Sequence, residues 1–287
     1  MTTLATTAPA RAATTTTRPD VPARSTFAGI MRGEWIKLLS LRSTWWTLGV
    51  TAALMPLVSL AAAASLGAMA DDPLMAPALA QMHGAEVISG GFQIAMLTIA
   101  VLGALFITGE YSTGMIRSTF AAVPTRLPVL LAKAIALVVL TTAVTLVGAV
   151  LAYLVTMPAL SQHDLVPALD DAGTWRVLAG TVVFLVAAAL FALGLGTLLR
   201  STAATVTLAL TVLLVLPGAL SFISLDWVET VASYLPLPAS SAFLGSGDPS
   251  AQSGGNELTA TAGVLVVAAY ALVPLVAGAV ALRRRDA

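Results

Sequence analysis

Six long stretches of this chain contain no charged residue, and they constrain its fold more than any other feature. An ionised group at the centre of a bilayer costs about 2.5 to 3.5 kcal/mol even on the lenient insertion scale. An uncharged apolar window of about 20 residues or more therefore marks a helix that can cross about 30 Å of hydrocarbon. The windows run Ser43–Ala70, Val87–Gly109, Ala134–His163, Val177–Leu199, Ser201–Leu225 and Leu258–Leu282. None alternates apolar with polar residues, so helices are expected rather than the strands of a barrel. The predicted fold is an all-α integral membrane protein with spans near 44–66, 87–108, 130–156, 177–199, 202–224 and 259–282. Composition agrees: the chain is 58% hydrophobic and 10% charged, with a mean hydropathy of +0.93, too apolar for a domain with a wet surface.

Orientation follows from the basic residues. Arg11, Arg18, Arg24, Arg32, Lys37 and Arg42 precede span 1; Arg117, Arg126 and Lys133 lie between spans 2 and 3; Arg200 separates spans 4 and 5; Arg283, Arg284 and Arg285 follow span 6. Six crossings put all of these on one face and leave Arg176 alone on the other. The positive-inside rule assigns the basic face, and with it both termini, to the cytoplasm. The opposite face carries Asp71, Asp72, Glu86, Asp164, Asp170, Asp171, Asp226, Glu229, Asp248 and Glu257.

Residues 1–24 are rich in Thr, Ala and Pro and cannot bury enough surface to order themselves, so a disordered cytoplasmic tail is expected. No continuous apolar run precedes Thr44, so no secretory signal is expected. The Ala-rich, Arg-over-Lys usage points to a bacterial plasma membrane. Net charge is zero, which offers no field for nucleic acid. There is no cysteine, and hence no disulfide or thiolate metal site.

Enzymatic signatures are missing. Neither lysine follows a glycine, which excludes a GxxxxGK[ST] phosphate loop; HExxH and GxSxG are absent too. The chain is therefore expected to be no enzyme by itself, with no cofactor and no metal of its own. Span centres free of charge argue against a proton-coupled carrier. Pro56, Pro217 and Pro274 are expected to interrupt spans 1, 5 and 6 as kinks or hinges. The small residues Ala187, Ala188, Ala189, Gly194 and Gly196 of span 4, and Ala203 and Ala204 of span 5, permit close helix approach.

Two amphipathic segments stand on the basic face. Between Ser25 and Arg42 (residues 25–42), Phe27, Ile30, Met31, Trp35, Leu38 and Leu41 recur at three and four and line one face of a helix, with Arg32, Glu34 and Lys37 to other sides. Trp35, Trp45 and Trp46 suit the membrane interface. Between spans 2 and 3, Met115, Ile116, Phe120 and Val123 form a short apolar stripe that Pro124 ends, bracketed by Glu110 and Arg117.

The run GEWIKLLSLRSTWW into span 1, together with Glu110, Tyr111, Gly114, Ile116, Arg117, Pro124 and Lys133, resembles the type-2 ATP-binding-cassette exporter permeases, in the subgroup of six-span chains with a separately encoded ATPase. The likeness covers the chain from about Arg32 onward. It implies a connecting helix carrying Arg32, Glu34, Trp35, Lys37 and Arg42. It also implies a coupling helix, with Glu110, Tyr111, Gly114, Ile116 and Arg117, that docks on the ATPase. Residues 226–257, with Trp227, Tyr234, Pro236 and Pro238, look like the family's outward-side short helices. Implied partners are ABC-type ATPase subunits that bind ATP and Mg, a second permease subunit (identical or not), and the lipid membrane. The substrate would be apolar or amphipathic and would move along the subunit interface.

Two other readings stand beside it: a membrane-embedded enzyme using Asp164, Asp170 and Asp171 beside His163, and a non-transporting anchor or sensor for an ATPase. Within the exporter reading, Glu110 is expected to pair with Arg117, with Arg32 or Arg42, or with the ATPase. An exposed pair, worth about 0 to 1 kcal/mol, would leave a Glu110→Ala protein inserted but uncoupled. A buried pair would make the same change cost about 3 to 5 kcal/mol and prevent accumulation.

Overall fold

The computed structural model describes residues 26–74, 82–245 and 258–284. The expected tail (1–24), Ser25, Arg11, Arg18, Arg24, Asp248, Glu257 and Arg285 lie outside the described residues. Among the described residues there is no strand, and six helical segments are long and apolar enough to cross a membrane. They run Arg42–Asp71 (span 1), Gly84–Thr113 (span 2), Leu127–Ser161 (span 3), Ala172–Leu199 (span 4), Thr202–Leu220 (span 5) and Ala260–Arg284 (span 6). All six expected spans are present. Their ends differ by a few residues: spans 1 to 4 continue past the apolar windows into polar flanks, whereas span 5 stops at Leu220, short of the expected 224. Span 3 is the extreme case at 35 residues, about 52 Å at 1.5 Å per residue, far more than the hydrocarbon requires.

The centre of the bundle is span 4. Of its most apolar window 67% is buried, against 17% for span 6 and 22% for spans 1 and 5. Span 4 packs on spans 2 and 6, and span 1 on span 3. Glycine makes the central contacts possible. A Cβ on Gly103 of span 2 would collide with the Ala189 carbonyl of span 4, and one on Gly194 would lie 2.5 Å from the Leu275 amide nitrogen of span 6. The expectation for Ala187, Ala188, Ala189, Gly194 and Gly196 thus holds, for all five are buried. Ala203 and Ala204 differ: both are exposed on the outer side of span 5.

The prolines behave individually. Pro56 and Pro274 sit inside helices that continue through them. At Pro217 the helix widens instead into a π turn, Thr211–Val215, whose closing bond runs from the Leu216 N–H to the Thr211 carbonyl. Proline's ring clashes with the carbonyl four residues back and offers it no N–H, and a wider turn relieves both problems. Span 2 breaks at Gly90 and Gly91, where a Cβ on Gly91 would meet the Met55 backbone of span 1. This break lies in a window that reads as uniformly apolar.

Both amphipathic segments are helical, over Phe27–Ser40 and Met115–Ala122. Thr26 caps the first, its hydroxyl accepting from the Gly29 N–H at 3.2 Å. The buried face of this helix is the anticipated apolar one in its middle, where Ile30 and Trp35 pack with Leu38 and Met31 is half-buried, but it takes in two charged residues and leaves both ends outside. Phe27 and Leu41 are exposed, and the residues turned inward are Glu34 and Leu38, flanked by half-buried Ile30 and Lys37. Two short helices, Asp226–Ser233 and Pro236–Leu244, fall between spans 5 and 6.

Candidate functional site

Span 2 ends because Gly114 adopts φ 72°, a left-handed conformation that glycine takes without a Cβ penalty. The chain turns there into Met115–Ala122, whose inward residues Ile116 and Phe120 join Val123, Leu38, Val129, Leu130 and Leu137 in one apolar cluster. Met115, expected in the same stripe, is exposed instead. Pro124 follows the helix, which stops at Ala122. This packing holds the first helix, the surface helix, the end of span 2 and the start of span 3 against one another.

Inside that packing lies a cluster of four charges. Lys133 of span 3, with 0% of its side chain exposed, places Nζ 2.6 Å from Glu34 Oε2 and 2.6 Å from Glu110 Oε1, and donates to the Phe106 carbonyl at 3.3 Å. Lys37 Nζ reaches Glu34 Oε1 at 2.7 Å, Glu110 Oε1 at 3.1 Å and Thr119 Oγ1 at 3.1 Å. Thr119 Oγ1 in turn lies 3.4 Å from Glu110 Oε2. Each ammonium has three protons and each finds three acceptors; all four carboxylate oxygens are met. The Phe106 ring lies 4.1 Å from Lys133 Nζ and adds a cation–π contact. Two positive and two negative charges leave the cluster neutral, and this balance makes burial of Glu34 (2% exposed) and Glu110 (4%) tolerable. For Lys37, burial opposes the charged form, but the hydrogen bond it donates to Glu34 and the charges of Glu110 and Glu34 outweigh it and hold its pKa above the usual 10.5. It stays protonated throughout the neutral range.

These contacts revise the anticipated pairing. Glu110 meets Lys133 and Lys37; Arg117, Arg32 and Arg42 are exposed and take no part. Among the residues expected to touch an ATPase, Ile116 is buried, Tyr111 is half-buried with the Arg200 guanidinium 5.3 Å from its ring centre, and only Gly114 and Arg117 face outward. Trp35 is half-buried. The exposed strip is Ser112–Met115 with Arg117 and Ser118. Arg126 donates to the Leu282 carbonyl at 2.9 Å, so the final turn of span 6 reaches the same end of the bundle.

The histidine and acid readings also change. Asp171 caps span 4, its Oδ2 accepting from the Thr174 N–H at 2.8 Å, and lies 3.0 Å from Nε2 of His83 rather than beside His163. His83 Nδ1 accepts from the Ala85 N–H, so in the neutral ring Nε2 carries the proton and donates to Asp171. The N–H groups of Thr174 and Gly173 hold the Asp171 carboxyl below its usual pKa. One pair thus caps two spans, a structural role, and among the described residues no three such side chains converge as a metal site would require.

No protein-family model matches this chain, and no curated protein matches it in sequence.

Proposed function

We propose that the chain is the membrane permease subunit of an ATP-driven exporter. It would work as a dimer, with both termini in the cytoplasm of a bacterial plasma membrane and a partner ATPase supplying the energy. One observation carries the reading: the buried charge cluster ties Glu34 and Lys37 of the first helix, Glu110 of span 2, Thr119 of the surface helix and Lys133 of span 3 into one unit. A push on the exposed strip around Gly114 cannot be absorbed locally, because its neighbours are bound to two spans. A partner that grips one arrangement of this unit better than another shifts the spans by that difference in affinity. A chain without a phosphate loop would leave ATP and Mg to the partner, and the apolar spans suit an apolar or amphipathic substrate.

Orientation is tested with single cysteines at Asp170 and Arg284 in a chain that has none. In intact cells the first should react with an impermeant thiol reagent and the second should not; the reverse would invert the topology. For function, the chain is reconstituted with a candidate ABC-type ATPase subunit. Substrate-stimulated ATP hydrolysis is expected, and Arg117→Ala should lower export at least about tenfold while leaving the protein folded, since exposed charges contribute little stability. ATP hydrolysis indifferent to every substrate would make the chain an anchor instead.

A further inference from the structure

Span 1 begins at Arg42, and Trp46 and Val50 follow at intervals of four, so the three residues share one face of the helix. That face is turned away from the bundle: Arg42 is exposed, and so are Trp46 (76%) and Val50 (39%). Beside it span 2 presents Leu97, Thr98 and Val101, and with Thr47 these side chains line a groove of about 300 Å³ between the two spans. The groove is apolar although it includes two threonines. The Thr47 hydroxyl donates to the Ser43 carbonyl at 2.8 Å, and the Thr98 hydroxyl bonds to the Ala95 carbonyl at 2.8 Å and the Thr51 hydroxyl at 2.7 Å. Both are satisfied within the protein and ask nothing of an occupant.

The mouth of the groove is different. On this side of the bundle the described acids are Glu34 and Glu110, and Lys37 and Lys133 hold both of them. Among the described residues no carboxylate pairs with the Arg42 guanidinium. Trp45 Nε1 donates to the Leu39 carbonyl at 2.8 Å, whereas no described acceptor meets Trp46 Nε1. A guanidinium, an indole N–H one turn deeper and an apolar wall beyond it, each step about 6 Å along the helix, repeat the order of phosphate, ester carbonyl and acyl chain in a glycerophospholipid.

We propose that this groove holds an acyl chain of an anionic glycerophospholipid, with Arg42 on the phosphate and the Trp46 N–H on an ester carbonyl. Hydrogen bonds from a guanidinium to a phosphate are charge-assisted and so of the stronger kind. A zwitterionic head brings a cation of its own, for which this face has no free acid, and a net-negative head is therefore preferred. A second copy of the chain fits less well, because its described acids on this side are buried in its own charge cluster and cannot reach Arg42. The site needs neither ATPase nor transport, so it stands or falls apart from the exporter reading.

The probe is phosphatidylglycerol brominated on its acyl chains, compared with phosphatidylcholine brominated in the same way. Each is titrated into phosphatidylcholine bilayers that hold the purified full chain. Bromine quenches an indole that it touches, and the difference between the wild type and Trp46→Phe isolates the signal of Trp46. Half-maximal quenching at Trp46 should need an about fivefold lower mole fraction of the phosphatidylglycerol. Arg42→Gln should remove that preference. Arg284→Gln takes an equally exposed charge from span 6, which packs chiefly on span 4, and should keep the preference. Circular dichroism confirms that each variant remains helical. Equal quenching by the two lipids in the wild type, or an undiminished preference in Arg42→Gln, would overturn the proposal. So would a preference lost as fully in Arg284→Gln, which would reduce the site to the general field of the basic face. A Trp46 shielded from both lipids at high protein density and quenched on dilution would give the groove to a second copy, and that too overturns it.

Discussion

Lys133→Ala should prevent the protein from accumulating in the membrane. The change removes the fully buried ammonium that lies 2.6 Å from both Glu34 and Glu110 and leaves two buried carboxylates to share Lys37, which is itself partly exposed. Removing one member of a buried ion group costs about 3 to 5 kcal/mol, a large part of the total stability of most proteins. Glu110→Ala should behave similarly, through the surplus ammonium it leaves. The cost belongs to the unpaired charge and not to the loss of a favourable bond, so the double variant Lys133→Met/Glu110→Gln should be more stable than either single change. Membrane yield and thermal midpoint in mild detergent measure this. Normal yield from Lys133→Ala would mean that water reaches the cluster and the burial argument is wrong.

Gly194→Leu should be equally damaging, through geometry alone. The new Cβ would stand 2.5 Å from the Leu275 nitrogen and 2.6 Å from the Pro274 carbonyl carbon. Both are backbone atoms of span 6, so no rotamer change relieves the clash and the helices must part. Even Gly194→Ala should lose about 1 to 3 kcal/mol, the usual range for overpacking. Gly109→Ala is the control: nothing lies within 4 Å of its built Cβ, so the better helix former should add up to about 1 kcal/mol. A Gly194→Ala protein with an unchanged thermal midpoint would remove the close approach of spans 4 and 6 from the account.

The spans are legible because burial in lipid acts on every residue of a window, so composition alone reveals them. The turn at Gly114 and the end of the next helix before Pro124 are local, and they too can be read in advance. The charge cluster is not local. Glu34 and Lys37 look like the wet side of an amphipathic helix, and apolar periodicity directs Phe27 and Leu41 inward in their place. One signal did point to the cluster: Lys133 stands inside the helical run LPVLLAKAIALVV, where an ammonium needs an acid partner. Which acids supply it depends on how three helices pack, and spacing along the chain does not contain that information. The same limit hides the pairing of His83 with Asp171, which are 88 residues apart, whereas His163 is the nearer histidine in sequence.

The order of the cluster's members along the chain has a consequence for assembly. Glu34 leaves the ribosome with Lys37 three residues behind it, but Glu110 emerges before Lys133, which follows 23 residues later. At about 5 to 20 residues per second, that interval lasts roughly 1 to 5 s. During it two acids have a single lysine between them, and the second base arrives only as the third crossing begins. The cluster therefore reaches electrical balance before the central, glycine-notched fourth crossing has been made, and the later helices dock onto a platform whose buried charges are already matched.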